Sequence, residues 1–182
     1  AASDVYKRQA LTGLNRGDRV GMGVFDRTMH TWIPPARGDR QLPKLIEQLT
    51  PIQPELLASD YLNAVTTVAK QQSRRALVVL ITDVVDTIAS ADLLAALAKL
   101  RPRYLPFCVT LRDPQVDRQA HRATATIAAA YERAVALDWL AQRQVAFARL
   151  KQRGVLVLDA PANQVSDDLV EAYLRVKLRS QI

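Results

Sequence analysis

One cysteine, two histidines and six glycines in 182 residues leave this chain short of several chemistries. Cys108 alone cannot close an internal disulfide or build a cysteine-ligated zinc site, which points to a reducing compartment. The longest apolar runs, such as Ala76 to Ile81, fall far below the roughly 20 residues that span a bilayer, and no secretory pattern opens the chain. A soluble, cytoplasmic piece is the expectation. No glycine-rich loop ends in Gly-Lys-Ser or Gly-Lys-Thr, and Gly21-x-Gly23 sits within an apolar run, so nucleotide-binding fingerprints are missing. His30 and His121 have no neighbouring Ser or Cys to suggest a triad and read as surface residues.

What is present is the balance of one or at most two compact domains, with 49% hydrophobic and 24% charged residues. The net charge of +7 raises an acidic protein, nucleic acid or a membrane surface as partner. Arg112, Arg118, Arg122, Arg143, Arg149, Lys151 and Arg153 supply much of it. Spread along helical segments, they read as solvated faces first, an acidic protein surface second and nucleic acid third.

Arg19 to Phe25, opened by Gly17-Asp18, predicts a buried strand, and Met29 to Ile33 a second strand stopped by Pro34-Pro35, together a hairpin. Leu42, Leu45, Ile46 and Leu49 repeat at helical spacing, with Pro51 and Pro54 beyond them. Ser59-Asp60 starts a helix carrying Leu62, Val65, Val68 and Ala69, with the Ser59 hydroxyl as the natural cap. Ala76 to Ile81 is continuously apolar, as in a strand covered on both faces, and Tyr104 to Leu111 is similar. Gln115 to Arg153, free of Gly and Pro, predicts one broken helix or two successive ones, closed by Gly154. Val155 to Leu158 is a last buried strand, and Ser166 caps a terminal helix.

Strands alternating with helices give an α/β domain with a mainly parallel sheet, whose ligands bind beyond the carboxyl ends of the strands. Three such ends carry carboxylates: Phe25-Asp26, Thr82-Asp83 with Asp86, and Asp159. Asp83 follows six apolar residues and a hydroxyl, a position from which a carboxylate can hold a hard divalent cation; the plainer reading is a carboxylate bonding loop amides. Ser59 and Asp60 offer the same choice between capping and a shared cation. Asp83-Val84-Val85-Asp86 has two residues between its carboxylates where aspartyl phosphotransferases have one, which leaves Mg-dependent phosphoryl transfer a weak alternative. Cys108, between Phe107 and Val109, reads as a small buried hydrophobe.

Asp4-Val5-Tyr6-Lys7-Arg8-Gln9 matches one reading frame of a transposon end used in sequencing-library preparation. Residues 1–9 are therefore expected to be an adapter scar, with native sequence from Ala10 onward, partway along a helix.

Gly17-Asp18-Arg19-Val20-Gly21, Ser59-Asp60-Tyr61, Leu77 to Asp83 and Thr110-Leu111-Arg112-Asp113-Pro114 together resemble the bacterial domain-of-unknown-function 58 proteins, a branch of the von Willebrand factor A superfamily. Tyr131-Glu132-Arg133-Ala134, Gly154 to Asp159 and Tyr173 to Lys177 extend the resemblance across 10–182. The resemblance implies a doubly wound, Rossmann-type, mainly parallel sheet with an antiparallel edge strand, here missing its first, central strand. It implies a metal-ion-dependent adhesion site, with Asp83 on its third loop and Ser59, with Asp60, on its second. The first loop, Asp-x-Ser-x-Ser, is not in this sequence, so Mg²⁺ belongs to the intact parent and would not be held tightly here. The implied role is protein interaction and not turnover, alongside a MoxR-type AAA+ ATPase and an unidentified client. The parent is cytoplasmic or anchored to the inner membrane through an upstream segment. Mg-dependent phosphoryl transfer and nucleic-acid binding are the alternatives.

Overall fold

A computed structural model describes residues 2–51, 59–82, 87–123, 125–161 and 164–179. Twelve elements follow in order: α1 (Ala2–Asn15), β1 (Val20–Phe25), β2 (Met29–Ala36), α2 (Gln41–Leu49), α3 (Tyr61–Gln71), β3 (Leu77–Thr82), α4 (Thr87–Leu100), β4 (Leu105–Arg112), α5 (Pro114–His121), α6 (Ile127–Gln152), β5 (Leu156–Pro161) and α7 (Val165–Leu178). The alternation of strands and helices read from the sequence is observed. The long stretch after Asp113 forms two successive helices. Gly154, at φ 74°, closes the second. Its N–H reaches the Lys151 carbonyl and the Val155 N–H the Leu150 carbonyl, the bond pair of a glycine-terminated helix.

Two sheets form. β3, β4 and β5 make a parallel sheet with β4 in the centre, and β1 and β2 a separate antiparallel hairpin. β4 explains its unbroken hydrophobicity: Phe107 and Val109 face one layer, and Cys108 faces the other. The first layer holds Val5 of α1 and Val165 and Leu169 of α7. The second holds Tyr61 and Val65 of α3, Leu93 and Leu97 of α4, and Phe147 of α6. Burial pushes the Cys108 thiol up to about 12, offset in part by Arg143, so it stays a protonated apolar group. The hairpin packs Ile33 against Ala10 of α1 and Leu45 and Leu49 of α2.

The structure corrects several boundaries; the last strand, for example, runs from Leu156 to Pro161 and not from Val155 to Leu158. β2 does not stop at Pro34-Pro35 but runs to Ala36. A register shift between Val20 and Met22 accommodates the prolines, and Gly21 leaves room for them: a Cβ there would lie 2.7 Å from the Pro35 nitrogen. The buried Gln41 amide donates to the carbonyls of Val20, at 2.7 Å, and Pro34, at 3.1 Å. It thereby satisfies backbone that the irregular ladder leaves short of donors. At the other end of the chain, Ser166 does not cap α7. Gln164 holds that position, and Ser166 is buried inside the first turn.

Residues 2–9 are helical and continuous with Ala10. Val5 is 1% exposed, and Arg8 pairs with Asp167 of α7 at 2.9 Å. The segment between α1 and β1 is tied to α7 as well. The Asp18 carboxylate accepts from Lys177 Nζ at 2.6 Å and from the Tyr173 hydroxyl. Burial opposes ionisation of Asp18, but Lys177 and Tyr173 outweigh it and hold the carboxyl below its ordinary value of 3.8. A carboxyl depressed on folding stabilises the protein above its unfolded pKa, and the contribution is lost as pH falls through the folded value. Asp18→Asn should therefore lower the urea midpoint at pH 7, and the gap to wild type should close below about pH 4. A gap that does not narrow as pH falls below about 4 would contradict the assignment.

Candidate functional site

The carboxyl ends of β1 and β3 lie on one rim, and the start of α3 joins them. Phe25, the last residue of β1, meets the Tyr61 ring edge-on at 6.1 Å. The Tyr61 hydroxyl bonds Thr82 Oγ1, the last residue of β3, at 2.8 Å. Three segments far apart in sequence thus converge around one tyrosine, and two of them were singled out by their carboxylates.

Asp26 follows β1. Its Oδ1 accepts the Thr28 N–H at 3.1 Å, and its Oδ2 lies 2.5 Å from His30 Nε2. The His30 bond first, then the Thr28 amide, holds the Asp26 carboxyl below its ordinary range. His30 is a surface residue, as its position in β2 suggests, but it is paired with Asp26. The spacing of four residues across a tight turn is the signal that could have linked them. The Asp26 carbonyl accepts the Asp60 N–H at 2.8 Å, and Asn63 Nδ2 donates to the Arg27 carbonyl at 3.0 Å. The turn between β1 and β2 is therefore stitched to the first turn of α3.

Asp60, not Ser59, caps α3: its Oδ1 accepts the Asn63 N–H at 2.8 Å. The carboxylate suits that place better than a hydroxyl because it also meets the positive end of the helix dipole. Ser59 is exposed, one residue outside the cap. Asp83 and Asp86 lie outside the described residues. Among the described residues, no three His, Cys, Asp or Glu side chains gather as a metal cage. The contacts that join the rim are the Tyr61 hydroxyl with Thr82 Oγ1 and the Asp60 N–H with the Asp26 carbonyl.

The third strand end behaves differently. Asp159 on β5 accepts from Arg143 at 2.7 Å and from Thr110 Oγ1 at 2.9 Å, with Arg112 at 3.6 Å from its second oxygen. Arg112 also pairs with Asp117 of α5 at 2.9 Å. Arg143 is 3% exposed, not part of a solvated face, and its guanidinium lies over the Trp139 and Phe147 rings at 4.6 and 5.3 Å. Composition does not reveal this, because a helix with charges on several faces gives no hint of which one turns inward. Phe147, four residues after Arg143, belongs to the inner stripe and was the available clue. Arg118, Arg122, Arg149, Lys151 and Arg153 are exposed, as expected of a solvated face. With Oδ1 held by Arg143 and Thr110 and Oδ2 facing Arg112, Asp159 is a structural anchor for α6.

No curated protein and no solved structure matches the chain. No helix among the described residues is long and apolar enough to cross a membrane.

Asp159→Ala removes the carboxylate that lies 2.7 Å from the buried Arg143 guanidinium and should cost about 3 kcal/mol in urea unfolding. Replacing both partners, Arg143→Met with Asp159→Leu, should recover most of that loss. A single variant within about 0.5 kcal/mol of wild type would contradict the anchor. At the rim, Asp60→Ala should cost about 1 kcal/mol and Ser59→Ala almost nothing, measured the same way. Equal costs would mean that the cap is shared.

A comparison with protein families finds a match over residues 5–139 to the family described as "Protein of unknown function DUF58". It begins within α1, covers the β1–β2 hairpin, the rim and the start of α6, and stops short of the Gly154 and Tyr173 segments. With most of its length matched, the chain belongs to the DUF58 family.

Proposed function

We propose that this chain is the larger part of a von Willebrand A-like protein-interaction module, and that its rim captures an acidic side chain of a partner through a divalent cation in the intact parent. The observation that carries the reading is the Tyr61–Thr82 bond of 2.8 Å, which brings the start of α3 to the end of β3, the residue before Asp83 in the sequence. In such a site, hydroxyl and carboxylate oxygens hold Mg²⁺ and leave one position open for the partner's carboxylate. Asp83 is the residue assigned to direct or water-mediated coordination, with Ser59, and Asp60 beside it, on the second loop. Asp60 gives one oxygen to its helix cap, so its second oxygen is the one available. The chemistry is binding, and no turnover is assigned.

The fold reading includes a strand between β1 and β3. Among the described residues, each of these strands pairs on one side only, β1 with β2 and β3 with β4. Their carboxyl ends meet the same tyrosine, which fits a strand entering between them. A strand entering there parallel to β3 would merge the two sheets and bring a further loop to the rim. This is where the first metal loop of the superfamily would arrive. The partner class follows from the family resemblance: a MoxR-type AAA+ ATPase acting with the module on a client, in the cytoplasm.

The test is surface-immobilised MoxR-type ATPase from the same genome, folded and nucleotide-loaded, with the intact parent protein flowed over it. Binding in Mg²⁺ that falls at least about tenfold with EDTA or with Asp83→Ala supports the reading. Binding untouched by either places the contact away from the rim, and no binding by the folded parent overturns the partnership.

A further inference from the structure

Helix α6 is apolar on two opposite faces. One runs from Ala136 through Arg143 and Phe147 to Leu150 and is buried. The other is exposed along its length and carries Ile127, Tyr131, Ala134, Ala141, Val145 and Ala148, with Asp138 between Ala134 and Ala141. The spacing alternates four and three residues throughout, the 3.5-residue repeat that keeps one stripe of a helix against a neighbouring helix. Its larger side chains are bare: Ile127 is 92% exposed, Tyr131 72% and Val145 51%. An outward helix face normally carries charge, and Asp138 is the only charge on this one.

The seam is also polarised. Near its amino end, Val135 and Leu137 flank it; near its carboxyl end, Arg149 and Lys151 do, and all four are exposed. Ala134, Ala141 and Ala148 recur every seven residues and let a second helix approach closely, provided that its own side chains are large enough to fill the space above them.

We propose that this seam docks one α-helix of another protein, with large apolar side chains over the alanines, a cation opposite Asp138 and acidic residues opposite Arg149 and Lys151. Charge argues against a second copy of this chain. Two seams in full overlap would set Asp138 against Asp138 near the middle in either orientation, and parallel pairing would add Arg149 and Lys151 against themselves. Each copy would also bring a net charge of +7. An acidic helix meets none of these penalties. The proposal stands on α6 alone and does not rest on the cation reading of the rim, so neither the ATPase nor a metal enters its test.

The probe is a synthetic helical peptide about three heptads long, with leucine along the seam, lysine opposite Asp138 and glutamates beside the last heptad. Fluorescence anisotropy with the full chain should show it binding at least about tenfold tighter than a version whose glutamates are lysines. Tyr131→Glu with Val145→Glu should abolish that binding while circular dichroism stays unchanged, since neither residue is buried. Ala134→Gln with Ala141→Gln should do the same by blocking close approach. The proposal is overturned by equal affinity for the two peptides, by no binding of either, or by binding that survives both variants. Sedimentation of the wild type as a dimer that Tyr131→Glu dissolves would also overturn it, by making a second copy the occupant.

Discussion

Among the described residues, no backbone ladder joins the β1–β2 hairpin to the β3–β4–β5 sheet, and the arrangement of the rim depends on how that seam is bridged. In most sheets, hydrogen bonds between strands set the register. Here the two parts are held by side chains of helices that reach both. On one layer, α1 places Val5 against the sheet cluster and Ala10 against the hairpin cluster. On the other, Tyr61 of α3 touches Phe25 at the end of β1 and Thr82 at the end of β3. The polar stitches from Asp60 and Asn63 to the turn after β1 keep that second bridge in place.

The same bridge assembles the rim, so architecture and candidate site share one cause. A helix whose first turn is fixed to a hairpin by backbone and cap bonds presents its starting residues at a defined height above the sheet. Asp60 serves both ends of the arrangement, as acceptor for Asn63 and as donor to the Asp26 carbonyl. Further along the same carboxyl edge, two strands from Thr82, the buried Arg143–Asp159 pair sets α6 against the carboxyl end of β5. That fixes which face of α6 turns inward, and therefore which face is left outside as a seam. The two candidate binding surfaces are positioned by different interactions and can be altered separately.

How much of this the residues disclosed depended on whether a pattern was local. The continuous apolar runs at Leu77 and Phe107 announced buried strands because alternate side chains enter two covered layers, which is what the clusters show. The hairpin was equally readable, but its end was not: Pro34 and Pro35 remove donors, and only the fold reveals that Gln41 supplies replacements to neighbouring carbonyls. Ser59 looked like the better cap from residue type, whereas the backbone places Asp60 where the Asn63 amide points. The carboxylates at three strand ends were legible as a group, yet their roles diverge for reasons of long-range packing. Asp26 pairs with a histidine and Asp159 with two arginines. Asp83 lies outside the described residues. The seam on α6 escaped notice because a helix apolar on both faces shows no single stripe to the eye.

Native-state hydrogen exchange on the full chain, resolved residue by residue along β3, tests the central claim most directly. If β3 pairs only with β4, its amides alternate: those donating into the ladder exchange slowly, and those pointing toward β1 exchange orders of magnitude faster. Uniform slow exchange from Leu77 to Thr82 would mean that both edges of β3 are paired, and the account of two sheets bridged by side chains would be wrong.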